Sequence, residues 1–375
     1  MSDERRAVAR VDPGAIERNC RGLKRALSEG SELCAVVKAD GYGHGAVAAA
    51  RAALAGGATW LAVAASAEAA ELRQAFPEAS ILTMGALTGP ELEQSLEARS
   101  AVAVWRSGFA EAVGAAGARL GVRPEVHVKY DSGMGRLGEA DPNEVMDVVR
   151  VVAGDSRLEL AGFWTHFATA DELTGTGGEY FTAQLARFGE LAGQVRAQHP
   201  EITLHAANSA ATMRESGSHF DMVRCGIAIY GLDPFHVDPT PRRLEPALEL
   251  RSYVADVKRF RAGASAGYGR RWVAGRETRI GVLPIGYGDG VRRGLTNNGE
   301  VLVGGRRVPL VGTVSMDNVT VDLGPSSEVE RGAPATLIGS QAGERILCED
   351  VARRLGTINY EITCGISSRV PREYV

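Results

Sequence analysis

The chain has 375 residues with 42 Lys and Arg against 46 Asp and Glu, a formal net charge of −4, and is 45% hydrophobic and 23% charged. That is the balance of an ordinary soluble globular protein long enough for one large domain or two, and it offers no basic field for nucleic acid or an anionic membrane. Five scattered cysteines without C-x-x-C spacing argue against a disulfide framework or a metal site, and no apolar segment is long enough to span a bilayer, so a cytoplasmic protein is expected.

Asp12-Pro13 predicts a helix start, with aspartate as N-cap and proline at the first helical position, and Ile16, Cys20, Leu23 and Leu27 follow at helical spacing. The apolar run Leu33–Val37 predicts a strand buried on both faces, the pattern of parallel sheets. Further strands are expected at Trp60–Ala65, Ser80–Gly85, Ala101–Trp105, Glu125–Tyr130, Leu158–His166, Thr203–Ala207 and Asp221–Ile227. Helical stretches alternate with them, such as Ser66–Phe76, Glu91–Glu97, Gly108–Arg119, Asn143–Ala153 and Glu179–Gln198. Eight strands over about 230 residues fit a (β/α)8 TIM-type barrel, typically about 250 residues long. An open doubly wound sheet is the rival, disfavoured because no G-x-G-x-x-G follows the first strand.

Prolines 234, 239, 241 and 246 crowd Asp233–Pro246, which reads as a linker. Short β-type runs follow at Leu248–Phe260, Thr278–Ile285, Glu300–Val303, Arg307–Val311, Val319–Leu323 and Ala335–Ile338, with a helical piece at Glu349–Leu355. The expected organisation is a barrel over 1–238 and a mostly β domain over 239–375.

Lys38 ends the first barrel strand and is followed by Gly41, Gly43 and Gly45. A lysine at the carboxyl end of a buried strand is partly desolvated, which lowers its pKa and favours the neutral amine that Schiff-base chemistry requires. Catalytic groups of such barrels lie at the strands' carboxyl ends. There stand Lys38, Lys129 with Asp131 and Arg136, His166, Asn208-Ser209, and Arg224 with Gly226 and Ile227. Each has a plain alternative: a surface lysine, a structural histidine, an Arg224–Asp221 pair, a Lys129–Asp131 pair. Backbone N–H groups after the seventh and eighth strands often build a phosphate site. A Schiff-base lysine facing a phosphate cup outlines a site for pyridoxal phosphate (PLP).

The segment A-V-V-K-A-D-G-Y-G-H-G (35–45) resembles the PLP-lysine signature of the alanine racemases. The resemblance continues through H-V-K-Y-D-S-G-M-G-R-L-G (127–138), H-A-A-N-S-A-A-T (205–212), V-R-C-G-I-A-I-Y-G (223–231), A-G-Y-G-R (266–270), G-Y-G-D-G (286–290), S-M-D (315–317) and I-N-Y-E-I (358–362). It implies a PLP-binding barrel followed by a β domain, interconverting L- and D-alanine for peptidoglycan. Lys38 would hold PLP and act as the base on the D-alanine side. Tyr268 would act on the L-alanine side, helped by a hydrogen-bond chain through His166 to Arg224, since a phenol near pKa 10 is a poor base unaided. Arg224 would face the pyridine nitrogen and keep it unprotonated. Tyr42, Asn208, Ser209, Gly226, Ile227 and Tyr360 would hold the phosphate end of the cofactor. Arg136 and the Met316 N–H would bind the substrate carboxylate, and Lys129 matches a lysine often carbamylated in the family.

The resemblance also implies a homodimer whose active site takes its tyrosine from the partner, and an entryway formed with Tyr287, Arg293 and Ile358. One departure stands out. Many family members carry arginine where this chain has Thr313, which predicts altered access, not lost chemistry. The alternatives are a serine or broader-specificity racemase of the same fold, a PLP carrier protein, and a decarboxylase of the same fold type. Carriers lack the second domain, and the decarboxylases generally set a carboxylate where Arg224 stands.

Overall fold

A computed structural model describes residues 5–375. Strand β1 (Ala7–Val11) comes first, its alternate residues Ala7, Ala9 and Val11 buried. The next eight strands close a parallel barrel in chain order: β2 (Glu32–Val36), β3 (Trp60–Val63), β4 (Ser80–Thr83), β5 (Ala101–Val104), β6 (Glu125–Lys129), β7 (Glu159–Trp164), β8 (Thr203–His205) and β9 (Met222–Cys225). β9 returns to β2 with Cys34 opposite Arg224, which closes the ring. All eight lie where the runs predicted them; β2 is shifted by one residue, and the other seven are shorter than their runs by one to three residues.

The strands are short and almost wholly apolar, because helices cover the outside and side chains fill the inside. Those helices begin on recognisable signals. Pro13 opens Pro13–Ala26, and Asp141 caps Pro142–Gly154 by accepting from the Asn143 N–H at 2.8 Å. Ala46–Ala55, absent from the expected elements, carries seven alanines in ten residues and buries five of them. Side chains on β6 alternate, so His127 and Lys129 share the inward face. Room for the His127 ring is left by Gly162 on β7, since a Cβ there would collide with the His127 ring nitrogen.

Residues Ile16–Ile229 form one compact unit, and the described residues before Ile16 join Tyr230–Val375 in the other. This second unit is a mostly antiparallel sheet. Its strands run Asp256–Phe260, Thr278–Leu283, Val319–Asp322, Arg306–Val311, Glu300–Val303, Pro334–Gln341, Leu248–Tyr253, β1 and Arg372–Tyr374, with Glu344–Ile346 beside Pro334–Gln341. The run Leu248–Phe260, expected as one element, is two strands. The break falls where the chain changes neighbours: the Val254 N–H bonds to Ala333 O and the Ala255 N–H to Val282 O, both at 2.8 Å. β1 pairs antiparallel with Leu248–Tyr253, Val11 opposite Leu248. Among the described residues no helix is long and apolar enough to cross a membrane.

Candidate active site

Lys38 follows β2 directly, and the chain after it makes a left-handed turn. Ala39, Asp40, Gly41, Tyr42 and Gly43 all have positive φ, from 52° to 85°. For residues other than glycine this costs about 1–2 kcal/mol each, so other contacts must hold it. The Gly41 N–H bonds to Val37 O at 2.9 Å and the Gly45 N–H to Asp40 O at 2.8 Å. The Glu68 carboxylate accepts from the N–H groups of Ala39, Ala64 and Ala65 at 2.6–3.1 Å, and Asp40 accepts from the Ala46 N–H at 2.9 Å. Strain of this kind persists where surrounding structure over-determines it. Here it carries Tyr42 into the interior within four residues of Lys38.

The Tyr42 hydroxyl reaches the place where a side chain at position 226 would begin, so only glycine fits there. The Gly226 N–H donates to Ser209 Oγ at 3.0 Å, and the Ala228 N–H approaches the same oxygen at 3.4 Å. Tyr42, Ser209, Gly226 and Ile227 are thus gathered in one small pocket of hydroxyl and amide groups. Asn208 borders it as the N-cap of Ser209–Arg214, its Oδ1 accepting from the Ala211 N–H at 3.0 Å.

Arg224 is buried and almost fully bonded. Its Nη1 donates to His205 Nδ1 at 2.8 Å, and its Nη2 to Thr165 O at 2.7 Å and Ala206 O at 3.0 Å, with His166 Nδ1 at 3.4 Å. Only Nε–H is left. Asp221 pairs instead with Arg196, so the plain alternative for Arg224 falls away. Because Arg224 is a donor, His205 must accept at Nδ1 and carry its proton on Nε2, from which it donates to His127 Nδ1 at 2.8 Å. Burial, then the charge of Arg224, pushes His127 down to about 3 and His205 well below the usual histidine range. Both rings are neutral. Trp164 stacks on His205 and presents its face to two cations, Arg224 at 4.6 Å and Lys129 at 4.4 Å.

Lys129 is buried, and that burial together with Arg224 and Arg136 lowers its amine to about 7. Asp131 pulls the other way without prevailing. Its carboxylate accepts instead from the N–H groups of Gly133, Met134, Gly135 and Arg136 at 2.6–3.1 Å, and these outweigh the effect of its partial burial and lower its pKa. His166 keeps part of its surface accessible, yet crowding by protein and then Arg224, Arg136, Lys129 and Lys38 hold it neutral. Four cationic side chains therefore act on one small volume at the carboxyl ends of β2, β6, β7 and β9. Such a volume suits an anionic ligand and a desolvated amine.

The remaining candidates lie in the second unit. Tyr268, Tyr287, Met316 and Ile358 are 75%, 43%, 51% and 45% exposed, and Arg293 is exposed as well. The Tyr287 N–H bonds to Ser315 O and the Gly288 N–H to Met316 O, both at 2.9 Å, while the Met316 N–H has no acceptor among the described residues. Tyr360 follows Asn359, whose buried amide donates to Asp233 O and Glu349 Oε1 at 2.8 Å.

Four groups here escaped the sequence reading: Glu68, which clamps the Lys38 turn, His205, which accepts from Arg224, and His127 and Trp164, each two residues before a singled-out rim residue. Strand alternation was the available signal for the last two, since it sets residues two apart on the same face.

Two family models match the chain: the alanine racemase N-terminal domain over residues 11–234 and the alanine racemase C-terminal domain over 247–374. The alanine racemase of Symbiobacterium thermophilum is 43% identical over 368 residues, which is 98% of this chain and 96% of that one. Among solved structures, the alanine racemase of E. faecalis superposes with a TM-score of 0.91 at 38% identity, covering 99% of this chain and 98% of that one. The Bacillus anthracis alanine racemase with bound L-Ala-P gives 0.91 at 38% identity, covering 100% and 96%.

Proposed function

The chain belongs to the alanine racemase family, and from that premise we propose that it interconverts L- and D-alanine with PLP, in the cytoplasm, supplying D-alanine for peptidoglycan. The observation that carries this reading is the set of two arginines and two lysine amines around neutral His166 beside the hydroxyl and amide pocket of Tyr42, Ser209, Gly226 and Ile227. A pocket whose glycine has no room for a Cβ, lined by donors and set in a positive field, fits a phosphorylated cofactor.

In this reading Lys38 binds the cofactor covalently, with Tyr42, Asn208, Ser209, Gly226, Ile227 and Tyr360 around its phosphate end. Arg224 would offer Nε–H, which has no acceptor among the described residues, to the pyridine nitrogen. Fixed positive at neutral pH, it keeps that nitrogen unprotonated. When bound, PLP withdraws electron density from the substrate Cα. Lys38 then moves the α-proton on the D-alanine face and Tyr268 on the L-alanine face. Arg136 and the Met316 N–H hold the carboxylate, while Tyr287, Arg293 and Ile358 line the approach. We further propose a homodimer in which Tyr268 completes the partner's site. The exposed Tyr268, Tyr287, Met316 and Ile358 support it, because large apolar side chains left open to solvent on the second unit are suited to burial against another copy.

Lys129 is proposed to carry a carbamate that orients Arg136. Its amine near pKa 7 supports this, since only a neutral amine adds carbon dioxide. Incubation with 13C-bicarbonate is expected to give a carbamate carbonyl signal that is absent in Lys129→Ala. Because the amine is neutral above about pH 7 and protonated below, the signal should fade as pH drops through that value.

A serine or broader amino-acid preference is the second reading, favoured by Thr313 standing where the family's entryway arginine would be. Purified protein with PLP is given L-alanine in deuterated water and followed by NMR and chiral analysis. Loss of the α-proton with appearance of D-alanine is expected. Bound PLP with neither change overturns the assignment; the same exchange with serine alone shifts it to the second reading.

A further inference from the structure

Thr313 is one of the few buried polar residues of the second unit, 4% exposed, and its hydroxyl donates to the Tyr268 carbonyl at 2.7 Å. Among the described residues this is the only side-chain bond to the main chain of Tyr268. The loop it holds turns through the left-handed region: Gly267, Gly269 and Arg270 have positive φ, at 72°, 70° and 49°, which glycine adopts freely and which costs Arg270. Its base is the two-pair ribbon in which Ser265 faces Val273 and Ala266 faces Trp272. The ring of Tyr268 is mostly exposed, so packing within its own unit does little to aim the phenol. Its direction is set by its backbone.

Two further contacts tie the same loop to the same segment. Asn297 accepts from the Gly312 N–H at 2.6 Å and donates to Arg271 O at 3.0 Å. Segments 266–267 and 312–313 approach so closely that a Cβ on Gly267 would stand 2.8 Å from Thr313 N, and one on Gly312 would stand 2.7 Å from Ala266 O. Thr313 thus sits at the closest point between the loop and its support. An arginine there has no hydroxyl at Cβ to make this bond.

We propose that Thr313, assisted by Asn297, is a positioning residue that aims Tyr268 for proton transfer on the L-alanine face. The proposal rests on the reading of Tyr268 as the L-side base. It assigns Thr313 an anchoring task distinct from the entryway place its position implies.

The test is α-proton wash-out into deuterated water, measured separately from L- and D-alanine on PLP-loaded enzyme, for wild type, T313V, T313S and Y268F. Valine keeps the shape of threonine and removes the hydroxyl. A lost hydrogen bond of ordinary strength corresponds to about a fivefold rate change. T313V is therefore expected to slow L-alanine wash-out about fivefold. Racemisation should fall equally in both directions, because the equilibrium constant is fixed. D-alanine wash-out, the half-reaction of Lys38, should hold its wild-type rate. T313S should restore the L-side, and the amides of 267–271 should exchange faster in T313V than in wild type. If T313V does not fold, T313A lacks the same hydroxyl and gives the same readings.

Parallel slowing of both wash-outs in T313V, or no slowing of either, overturns the proposal. Y268F separates the two levels. An unaffected L-side in Y268F removes the reading of Tyr268 and the anchor with it. A silenced L-side in Y268F beside an unaffected T313V overturns the anchor alone.

Discussion

Replacing Lys38 with alanine is expected to lower racemisation by roughly 10^4-fold or more, because one side chain performs two tasks. In the proposed mechanism it forms the covalent link to the cofactor, and it moves the α-proton on the D-alanine face. The left-handed turn after Lys38 is held by Glu68, Asp40 and main-chain bonds that do not involve the lysine amine. The fold and the phosphate pocket should therefore survive the change. K38A is expected to bind PLP without the absorbance of a covalent imine, and to keep wild-type circular dichroism and a similar melting temperature. Added small amines should restore part of the D-alanine wash-out and none of the linkage to protein. Racemisation within tenfold of wild type in K38A would remove Lys38 from both roles.

The barrel was legible in the sequence because its strands are buried on both faces and most of them read as short, largely apolar runs. Leu33–Val37 and Ala101–Trp105 needed no partner to be recognised. β1 was not legible for the opposite reason. A-V-A-R-V is short and only half buried, and it becomes a strand because Leu248–Tyr253, some 240 positions away in the chain, pairs with it. The Ala46–Ala55 helix was hidden behind the motif that precedes it, since glycines 41, 43 and 45 read as a loop continuing onward. Asp40 starts that helix from six residues upstream by accepting from the Ala46 N–H, a capping arrangement with no fixed sequence spacing.

The site divides in the same way. Lys38, Lys129, His166 and Arg224 stood out because a charged residue at the end of an apolar strand needs a reason. The field they create was legible only in part. Spacing along the chain does not reveal that Asp131 faces four backbone N–H groups and leaves Lys129 to be governed by burial and two arginines. Nor does it reveal that Arg224 dictates the proton positions of two histidines in turn. Such couplings run across the barrel interior, between strands that are distant in sequence. Thr313 is the sharpest instance. As a sequence feature it was a missing arginine; in the fold it is a hydroxyl on the main chain of Tyr268.

Mixing two inactive variants is expected to restore activity if the site is shared between subunits. K38A lacks the covalent lysine and Y268F lacks the opposite base, so each homodimer alone has no complete site. In a mixed dimer of a twofold-symmetric protein, one site receives both altered residues and the other receives Lys38 from one subunit and Tyr268 from its partner. Unfolding and refolding the two at equal concentration makes about half of the dimers mixed, so about a quarter of all sites regain both groups. Racemisation is therefore expected to recover to about a quarter of the wild-type rate, with the recovered activity eluting at dimer size. The exposure of Tyr268, Tyr287, Met316 and Ile358 gives the physical motive, since those side chains stand on the second unit with their surface open to another copy. Should Lys38 and Tyr268 instead serve one site from one chain, no mixture recovers anything, because every chain in it lacks one of the two. Absence of recovery alongside verified mixed dimers would assign a complete site to each subunit, and an active monomer measured by sedimentation would say the same.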